Sequence, residues 1–368
     1  MIVSPKFWRR RRDGCPRRSP ALLPAMLMSA VVWTAAAQPA SEPIQLKVLG
    51  GLAGVSQYSR HEAPFWLERI PLLTQGRVRA EIAPFDRSGI RGNDIMPLLR
   101  LGVVPFGTVI LNIAGADEPE LNGPDLATLN PDIHDLRRNV EAFRPVFTRI
   151  LRERHNADVL AVYTYPGQVL FCTRPFTGLA DIRNRRVRAS SVSQADAVEA
   201  LGAIPVIIPF AEIVRAIRRN EVECAITGAL SGNATGLHEV TSHVHAMAFS
   251  WGISVFVAHR PSWNALPEEL RGVIARGLRE LEAEIWTAAE AETLEGLACN
   301  SGQAGCTAGR RGSMRVVPAT AADEAVRRNL LRGIVLPRWI DRCGEECADA
   351  WNESVAASVG FRAERAPR

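Results

Sequence analysis

Apolar positions recur with two different periods along this chain, and the two periods alternate most clearly between residues 185 and 228. Phe210, Ile213 and Ile217 recur at helical spacing, whereas 203–208 is an apolar, β-branched run that is typical of a buried strand. The predicted elements are a strand at 185–189, a helix at 194–201, a buried strand at 203–208, a helix at 210–220 and a strand at 222–226. Strands and helices that alternate with short links form a parallel, doubly wound α/β unit.

The same rhythm covers the N-terminal part and predicts a second parallel sheet there. Strands are predicted at 44–49, 78–82, within 103–113 and at 159–163, and helices at 65–73, 93–101 and 132–155, the last interrupted at Pro145. A further helix begins at Pro267 and continues to about residue 297. Its length of roughly 30 residues, or about 45 Å, exceeds one small domain and could connect two lobes.

Three side chains lie at or just past the carboxyl ends of the predicted strands between residues 185 and 228. These are Arg188, Phe210 and Thr227. Ligands of parallel sheets bind beyond the carboxyl ends of the strands, so we expect all three to face one crevice. The glycine-rich run at 50–54 lacks the spacing of a dinucleotide fingerprint, and no cofactor is expected.

Charge and composition change the picture mainly at the N-terminus. The 368 residues are 47% apolar and 23% charged, with a formal net charge of +5. Residues 1–37 hold seven of the basic residues and Asp13 as their one acid, a net +6, which leaves −1 for the rest. Nucleic-acid binding therefore loses its main support.

The basic N-terminal segment has the parts of a secretory signal peptide. Its charged start precedes the apolar run 21–33, and three alanines at 35–37 offer a cleavage site. The run is shorter than the roughly 20 apolar residues that span a bilayer. We expect residues 1–37 to be removed and the mature protein to be an exported, soluble monomer.

Cysteine usage agrees with export, since disulfides persist in oxidising compartments. Cys299 with Cys306 and Cys343 with Cys347 form two close pairs, for which local disulfides are expected. A zinc site built from the four thiolates, or cross-pairing between the two sets, is the alternative. Cys172 and Cys224 fall in strand-like segments and are expected to be buried thiols.

The histidines offer the one alternative chemistry. His238, His243 and His245 cluster near Glu239, but their spacing matches no zinc-protease pattern. No serine or cysteine stands in a nucleophile motif. A secreted enzyme that uses the three histidines is therefore kept as an alternative to a binding protein, as is a ligand sensor without a transporter.

Three segments resemble the DctP-type solute-binding proteins of tripartite ATP-independent periplasmic (TRAP) transporters. They are RPFTGLADIRNRRVRASS at 174–191, EALGAIPVIIPFAEIVRAIRRNEVECAITG at 199–228, and HEVTSHVHAMAFSWGISVFVAHRPSWNALPEELR at 238–271. The likeness is good from about residue 163 to 271 and thinner from residue 44 onward. No single motif is unique to the family, but the order and spacing of the motifs are fairly specific.

The resemblance implies a two-lobed α/β fold of the periplasmic-binding-protein type, with mainly parallel sheets and a long helix shared by both lobes. Lobe I is expected at 44–163 plus about 252–291, and lobe II at 164–251 plus about 292–360. The implied function is capture of a small organic carboxylate between the lobes, in the periplasm, and delivery to the membrane subunits of a TRAP permease. No catalysis is implied.

The resemblance also assigns ligand-binding roles to individual residues. The carboxylate-binding arginine of the family falls on Arg188, whose planar fork matches a carboxylate bidentately. Ser190, with Ser191 and the helix that follows, adds donors, and Phe210 matches a crevice phenylalanine. Gln168 stands where many members have a second arginine, and Thr227 where they often have asparagine.

Because Gln168 replaces the second arginine, we expect the ligand to be a monocarboxylate, or another acid that differs from C4-dicarboxylates and sialic acid. We also expect Trp251, in the strand-like run after the histidines, to contact the ligand.

Overall fold

The protein forms two mixed β-sheets flanked by helices, in a computed structural model that describes residues 42–364. The strands are β1 (Ile44–Gly50), β2 (Val78–Pro84), β3 (Phe106–Ile110), β4 (Ala157–Thr164), β5 (Gln168–Cys172), β6 (Arg186–Ala189), β7 (Ile204–Ile207), β8 (Cys224–Gly228), β9 (His243–His245), β10 (Ile253–His259) and β11 (Arg315–Val317). The first sheet has the order β2-β1-β3-β10-β4, and the second β11-β9-β5-β8-β6-β7. The predicted signal peptide lies outside the described residues.

The parallel unit predicted between residues 185 and 228 is present, since β6 pairs in parallel with both β7 and β8. β1 likewise pairs in parallel with β2 and β3. The antiparallel strands are β10 in the first sheet and β5 in the second. They follow the crossing segments 165–167 and 246–252, through which the chain passes to the second sheet and back before it enters the second sheet again at β11.

Strand β7 differs from its prediction as a buried strand. It is an edge strand that pairs with β6 alone, and Ile204 and Ile207 are 53% and 59% exposed. The β-branched composition identified the strand correctly but carries no information on whether a neighbour covers it. Ile207 also lines a cavity.

The helices lie on the faces of the two sheets. They are α1 (Ile70–Leu73), α2 (Ile95–Arg100), α3 (Leu111–Ala114), α4 (Ile133–His155), α5 (Val192–Ala200), α6 (Ile213–Arg218), α7 (Ala229–Thr235), α8 (Arg260–Asn264), α9 (Glu268–Ser301), α10 (Ala321–Leu330), α11 (Leu336–Cys343), α12 (Glu345–Glu353) and α13 (Ala356–Val359). Short 3₁₀ segments lie at 85–87, 92–94, 119–125, 179–182, 210–212 and 237–239, and π-helical segments at 57–62, 65–69 and 331–335.

Helix α4 continues through Pro145, where the sequence predicts an interruption. Asp132 caps its first turn by accepting from the backbone N–H groups of His134 and Asp135. Proline removes a single hydrogen bond from the ladder, and the buried face on either side, which includes Phe143 and Phe147, holds the helix in place.

The long helix α9 packs against both sheets, as predicted. Near its start Ile274, Leu278 and Ile285 share a core with strands of the first sheet. Near its end Gly296 lies so close to α7 that a Cβ atom there would be 2.2 Å from the backbone nitrogen of Leu230. Its 34 residues correspond to about 51 Å.

The C-terminal helices join a core that the sequence does not assign to them. The predicted lobe II includes residues up to about 360, but Trp339 of α11 and Trp351 of α12 share a core with Phe143 and Phe147 of α4. The indole Nε1 of Trp339 also donates to the carbonyl of Pro119 at 2.6 Å. These helices therefore pack on the half of the molecule predicted as lobe I. The exact lobe boundaries stay a prediction.

Three disulfides link the six cysteines of the described residues. Cys299 pairs with Cys306 and Cys343 with Cys347, as predicted, so no thiolate remains for a zinc site. The prediction of buried thiols at Cys172 and Cys224 is wrong, because these residues face each other in the register of β5 and β8 with their Cα atoms 4.1 Å apart. Pairing between strands 52 residues apart is not visible in a local sequence pattern.

We expect loss of the Cys172–Cys224 disulfide to destabilise the protein more than loss of the Cys299–Cys306 disulfide. The two bonds close loops of 52 and 7 residues, and chain entropy assigns them about 4 and about 2.5 kcal/mol. Urea unfolding of the double alanine variants Cys172→Ala/Cys224→Ala and Cys299→Ala/Cys306→Ala tests the order. Equal losses would contradict the entropic account.

Candidate functional site

A cavity of about 590 Å³ opens where the carboxyl ends of parallel strands from both sheets meet. The segments after β1, β2 and β3 contribute Leu52, Val55, Phe85, Ile90, Asn112 and Ile113. The ends of β6, β7 and β8 and the segments after them contribute Arg188, Ser190, Ile207, Phe210, Thr227 and Ser231. The crossing segments add Tyr165 and Gly252, and the first residue of β5 adds Gln168. This is the position at which α/β sheets bind ligands.

Five of the six residues predicted to bind ligand line this one cavity. They are Gln168, Arg188, Ser190, Phe210 and Thr227. They come from four segments that are far apart in sequence, so their convergence depends on the strand order β5-β8-β6-β7. Phe210 also reaches across to the first sheet, since a Cβ atom on Gly54 would lie 3.2 Å from its ring. Whether the five bind ligand stays a prediction.

The guanidinium of Arg188 is held by backbone carbonyl groups on both sides. Its Nε donates to the carbonyl of Ile208 at 2.8 Å, and its Nη1 donates to the carbonyl of Ile226 at 2.6 Å. These two bonds fix the plane of the fork and leave three of its five N–H groups for other acceptors. The side chain is therefore positioned before any ligand arrives.

Arg188 is a buried charge without a counter-ion in the part of the chain that the structure describes. It is 3% exposed, and burial lowers its pKa to about 9, so it is still protonated at neutral pH. No carboxylate among residues 42–364 forms an ion pair with it. Burying an unpaired charge is costly, and an anion in the cavity would supply the missing partner.

Gln194, which sequence reasoning missed, connects three segments beneath the cavity. Its amide nitrogen donates to Gln168 Oε1 at 2.9 Å and to Ser250 Oγ at 2.8 Å. Its carbonyl oxygen accepts from the backbone N–H of Ser190 at 2.8 Å. The one local signal is its place three residues after Ser191, the N-cap of α5, whose hydroxyl accepts from the Gln194 N–H.

The amide of Gln168 is committed to neighbouring protein groups. Its nitrogen donates to the carbonyl of Trp251 at 3.0 Å. Its oxygen accepts from Gln194 and from the hydroxyl of Ser190. Gln168 therefore forms part of the cavity wall and holds Ser190 in place.

Trp251 does not line the cavity, so the structure gives no support to its predicted contact with ligand. Its side chain is 4% exposed, and the indole Nε1 donates to the carbonyl of Asn130 at 3.1 Å. Its backbone N–H donates to the carboxylate of Asp125 at 3.0 Å, and that of Gly252 to the same carboxylate at 2.6 Å. Trp251 anchors the second crossing segment.

Asp125 is a second residue beside the cavity that sequence reasoning missed, and it holds the backbone of the second crossing segment. Burial raises its pKa to about 6, although the N–H groups of Gly252 and Trp251 favour the ionised form. Its carboxylate also accepts from the amide of Asn130 at 3.1 Å, but nothing in the sequence around it indicates the contact with the crossing segment, because those backbone N–H groups lie 126 and 127 residues away.

Glu62 is a buried carboxyl group behind the segment that follows β1. It accepts from the backbone N–H of Gly51 at 2.8 Å and from the hydroxyl of Thr108. Burial raises its pKa to about 7, and the two hydrogen bonds oppose that rise. It does not line the cavity, but it fixes the backbone beside Leu52, which does.

The three histidines do not converge. The rings of His243 and His245 lie near Phe176, with ring centroids 6.2 and 6.0 Å from it, and His245 Nε2 lies 3.5 Å from the carboxylate of Asp323. His238 lies in a separate 3₁₀ turn, near Glu239. Within residues 42–364, no group of three or more possible ligands is placed to hold a metal ion. Across the same residues, no helix has both the length and the apolar character needed to cross a bilayer.

Comparison with known families gives one match. Residues 51–304 match the model of the DctP family, described as bacterial extracellular solute-binding protein, family 7. This range is more than half of the chain. A search of curated proteins gives no match.

Solved structures with a similar fold are receptors for small molecules. One is DctP7 of Bordetella pertussis, an extracytoplasmic solute receptor binding pyroglutamic acid, with 18% identity, a TM-score of 0.70 and coverage of 83% of this chain and 99% of that one. Another is a TRAP periplasmic solute binding protein of Rhodoferax ferrireducens with bound malonate, with 18% identity, a TM-score of 0.73 and coverage of 86% and 100%. An apo open structure from Marinobacter aquaeolei VT8 has 21% identity, a TM-score of 0.70 and coverage of 84% and 99%. These matches confirm the predicted two-lobed α/β fold.

We expect Gln194→Leu to lower the free energy of unfolding by about 2 kcal/mol, because it leaves the Ser190 N–H and the Gln168 Oε1 short of buried partners. Urea unfolding measures the change. Gln303→Leu, at an exposed position near the end of α9, is the matched control and should change stability by less than about 0.5 kcal/mol. Equal effects of the two substitutions would show that the network does not stabilise the fold.

We expect Glu62 to make the protein less stable as the pH rises. Its pKa rises from 4.5 to about 7 on folding, so its contribution is complete below pH 4.5 and is lost as the pH passes through 7. In the wild type this group should lower the free energy of unfolding by about 3 kcal/mol between pH 4.5 and pH 8, and in Glu62→Gln that pH-dependent loss should be absent. Urea unfolding across this pH range measures both. The exposed Glu68→Gln should keep the wild-type profile, and an unchanged profile in Glu62→Gln would contradict the assignment.

Proposed function

The chain belongs to family 7 of the bacterial extracellular solute-binding proteins, and we propose that it captures a small organic carboxylate in the cavity between its two sheets. In this proposal the protein binds and releases its ligand without altering it. The family is one of transport proteins, in which binding rather than catalysis is the shared activity.

The observation that carries the proposal is the unpaired guanidinium of Arg188 in the cavity wall. It is rigidly held by the carbonyl groups of Ile208 and Ile226 and has three N–H groups left, a geometry that suits bidentate binding of a carboxylate. The N-terminal end of α5 adds partial positive charge at Ser190, Ser191 and Val192, which also line the cavity.

The ligands of the similar structures support an acid. Pyroglutamic acid and malonate are both carboxylates, bound to DctP7 of Bordetella pertussis and to the Rhodoferax ferrireducens protein. At 18% identity these names do not transfer a particular ligand to this chain, but they agree with the chemistry of Arg188.

We further propose that the protein acts in the periplasm and delivers its ligand to a TRAP-type permease. Membership of the family supports this place and partner. The predicted signal peptide at 1–37 and the disulfides of the described residues are in accord with export to an oxidising compartment. No observation favours the alternative of an enzyme built on the histidines, because His238 lies apart from His243 and His245.

We expect Arg188→Gln to weaken carboxylate binding by at least about 30-fold, since truncating one partner of a buried, hydrogen-bonded charge pair costs about 2–5 kcal/mol. A thermal-shift screen of organic acids identifies a ligand, which stabilises the wild type by about 2.7 kcal/mol at 100 times Kd. Titration calorimetry then compares the variants.

The matched control is Arg186→Gln, two residues earlier on β6. Arg186 is 43% exposed and lies beside Glu223 rather than in the cavity, so this variant should bind like the wild type. If Arg188→Gln kept full affinity, or if no organic acid stabilised the wild type, the proposed function would be wrong.

A further inference from the structure

We propose that the ligand is a monocarboxylate with a bulky apolar body, held by its single anionic end at Arg188. The proposal rests on the function proposed above and narrows it to one class of acid. Three features of the cavity carry it: the number of available cations, the position of its acidic side chains, and the character of its remaining wall.

The cavity offers one buried cation. Among the described residues that line it, Arg188 and Arg91 are the basic ones. The side chain of Arg91 is 84% exposed and already bound to Asp94 through Nε and Nη2. A second carboxylate of the ligand would therefore find no buried, unpaired positive group to replace its water.

Acidic side chains also act against a second anionic group. Asp86 and Glu212 both line the cavity, and of the two Glu212 is already paired with Arg215. Asp86 is held in place by the backbone N–H of Ala53, at 3.0 Å from its Oδ1. A second carboxylate of the ligand near Asp86 would meet a like charge, which disfavours binding.

The rest of the wall is mostly apolar. The first sheet's segments contribute Leu52, Val55, Phe85, Ile90, Ile110 and Ile113. From the other side come Phe210 and Ile207, and Ile207 is 59% exposed. An apolar ligand body would cover these groups, at a gain of about fourfold in affinity for each buried methylene.

The volume of the cavity is large enough for a ligand with a bulky apolar part. A cavity of about 590 Å³ lies within the range for sites that enclose drug-sized ligands. An acid as small as malonate would leave much of it to water, and water in contact with this wall hydrates apolar surface at a cost. A longer apolar acid displaces that water.

Calorimetric titration with three unbranched acids tests the class. Hexanoate and adipate have the same chain length and differ in the second carboxylate, whereas butanoate and hexanoate differ in two methylenes. We expect hexanoate to bind about 15-fold more tightly than butanoate and at least about tenfold more tightly than adipate. Butanoate and adipate binding as tightly as hexanoate would overturn the proposal.

A matched pair of variants on β7 locates the apolar body. Ile207→Asn changes an exposed side chain in the cavity wall, and Ile204→Asn changes one of similar exposure, 53%, on the same strand but outside the cavity. Both are surface positions, at which folding tolerates the change. We expect Ile207→Asn to weaken hexanoate about fivefold with little effect on butanoate, and Ile204→Asn to change neither. Equal effects of the two variants would contradict the proposed location.

The two proposals fail in different ways. Adipate or malonate binding more tightly than hexanoate, with that binding lost in Arg188→Gln, would overturn the monocarboxylate class and support the carboxylate function. Absence of binding by every acid would overturn both.

Discussion

The organising constraint of this structure is the burial of one guanidinium without an acid to neutralise it. Removing a charge from water is costly unless other groups replace the lost solvation. The carbonyl groups of Ile208 and Ile226 replace part of it for Arg188. They can do so because β6 lies between β7 and β8, so the strand order is what makes a buried cation tolerable there.

The crossing segments give the cavity its second requirement, a fixed relation between the two sheets. Asp125 holds the backbone of Trp251 and Gly252, and Gln168 holds the Trp251 carbonyl. The N–H of Gly167 in the other crossing donates to Thr293 of α9 at 2.9 Å. The first crossing is therefore held by α9, which packs on both sheets, and the second by Asp125 and Gln168, and the cavity walls depend on these contacts.

Sequence reasoning reached the strands, the long helix and five cavity residues because these follow from periodicity, strand ends and family resemblance. Sequence reasoning failed for features that depend on which segments become neighbours in the fold. Contacts between distant segments determine three such features: the exposure of β7, the Cys172–Cys224 disulfide and the hydrogen bonds from the backbone of Trp251 and Gly252 to Asp125. The position of Trp251 outside the cavity has the same origin, since its partner Asn130 lies 121 residues away. Local patterns contain no information about such partners.

The lining of the cavity divides by origin: the cation comes from the second sheet, and most of the apolar wall comes from segments after the strands of the first. These segments are connections, which tolerate substitution better than paired strands do. Substitution of Ile90 or Ile113 therefore leaves the hydrogen bonds of Arg188 to the carbonyl groups of Ile208 and Ile226 unchanged. In evolutionary terms, recognition of the anion and selection of its attached group are separately mutable, so one scaffold can change its cargo by small steps without first losing the ability to hold it.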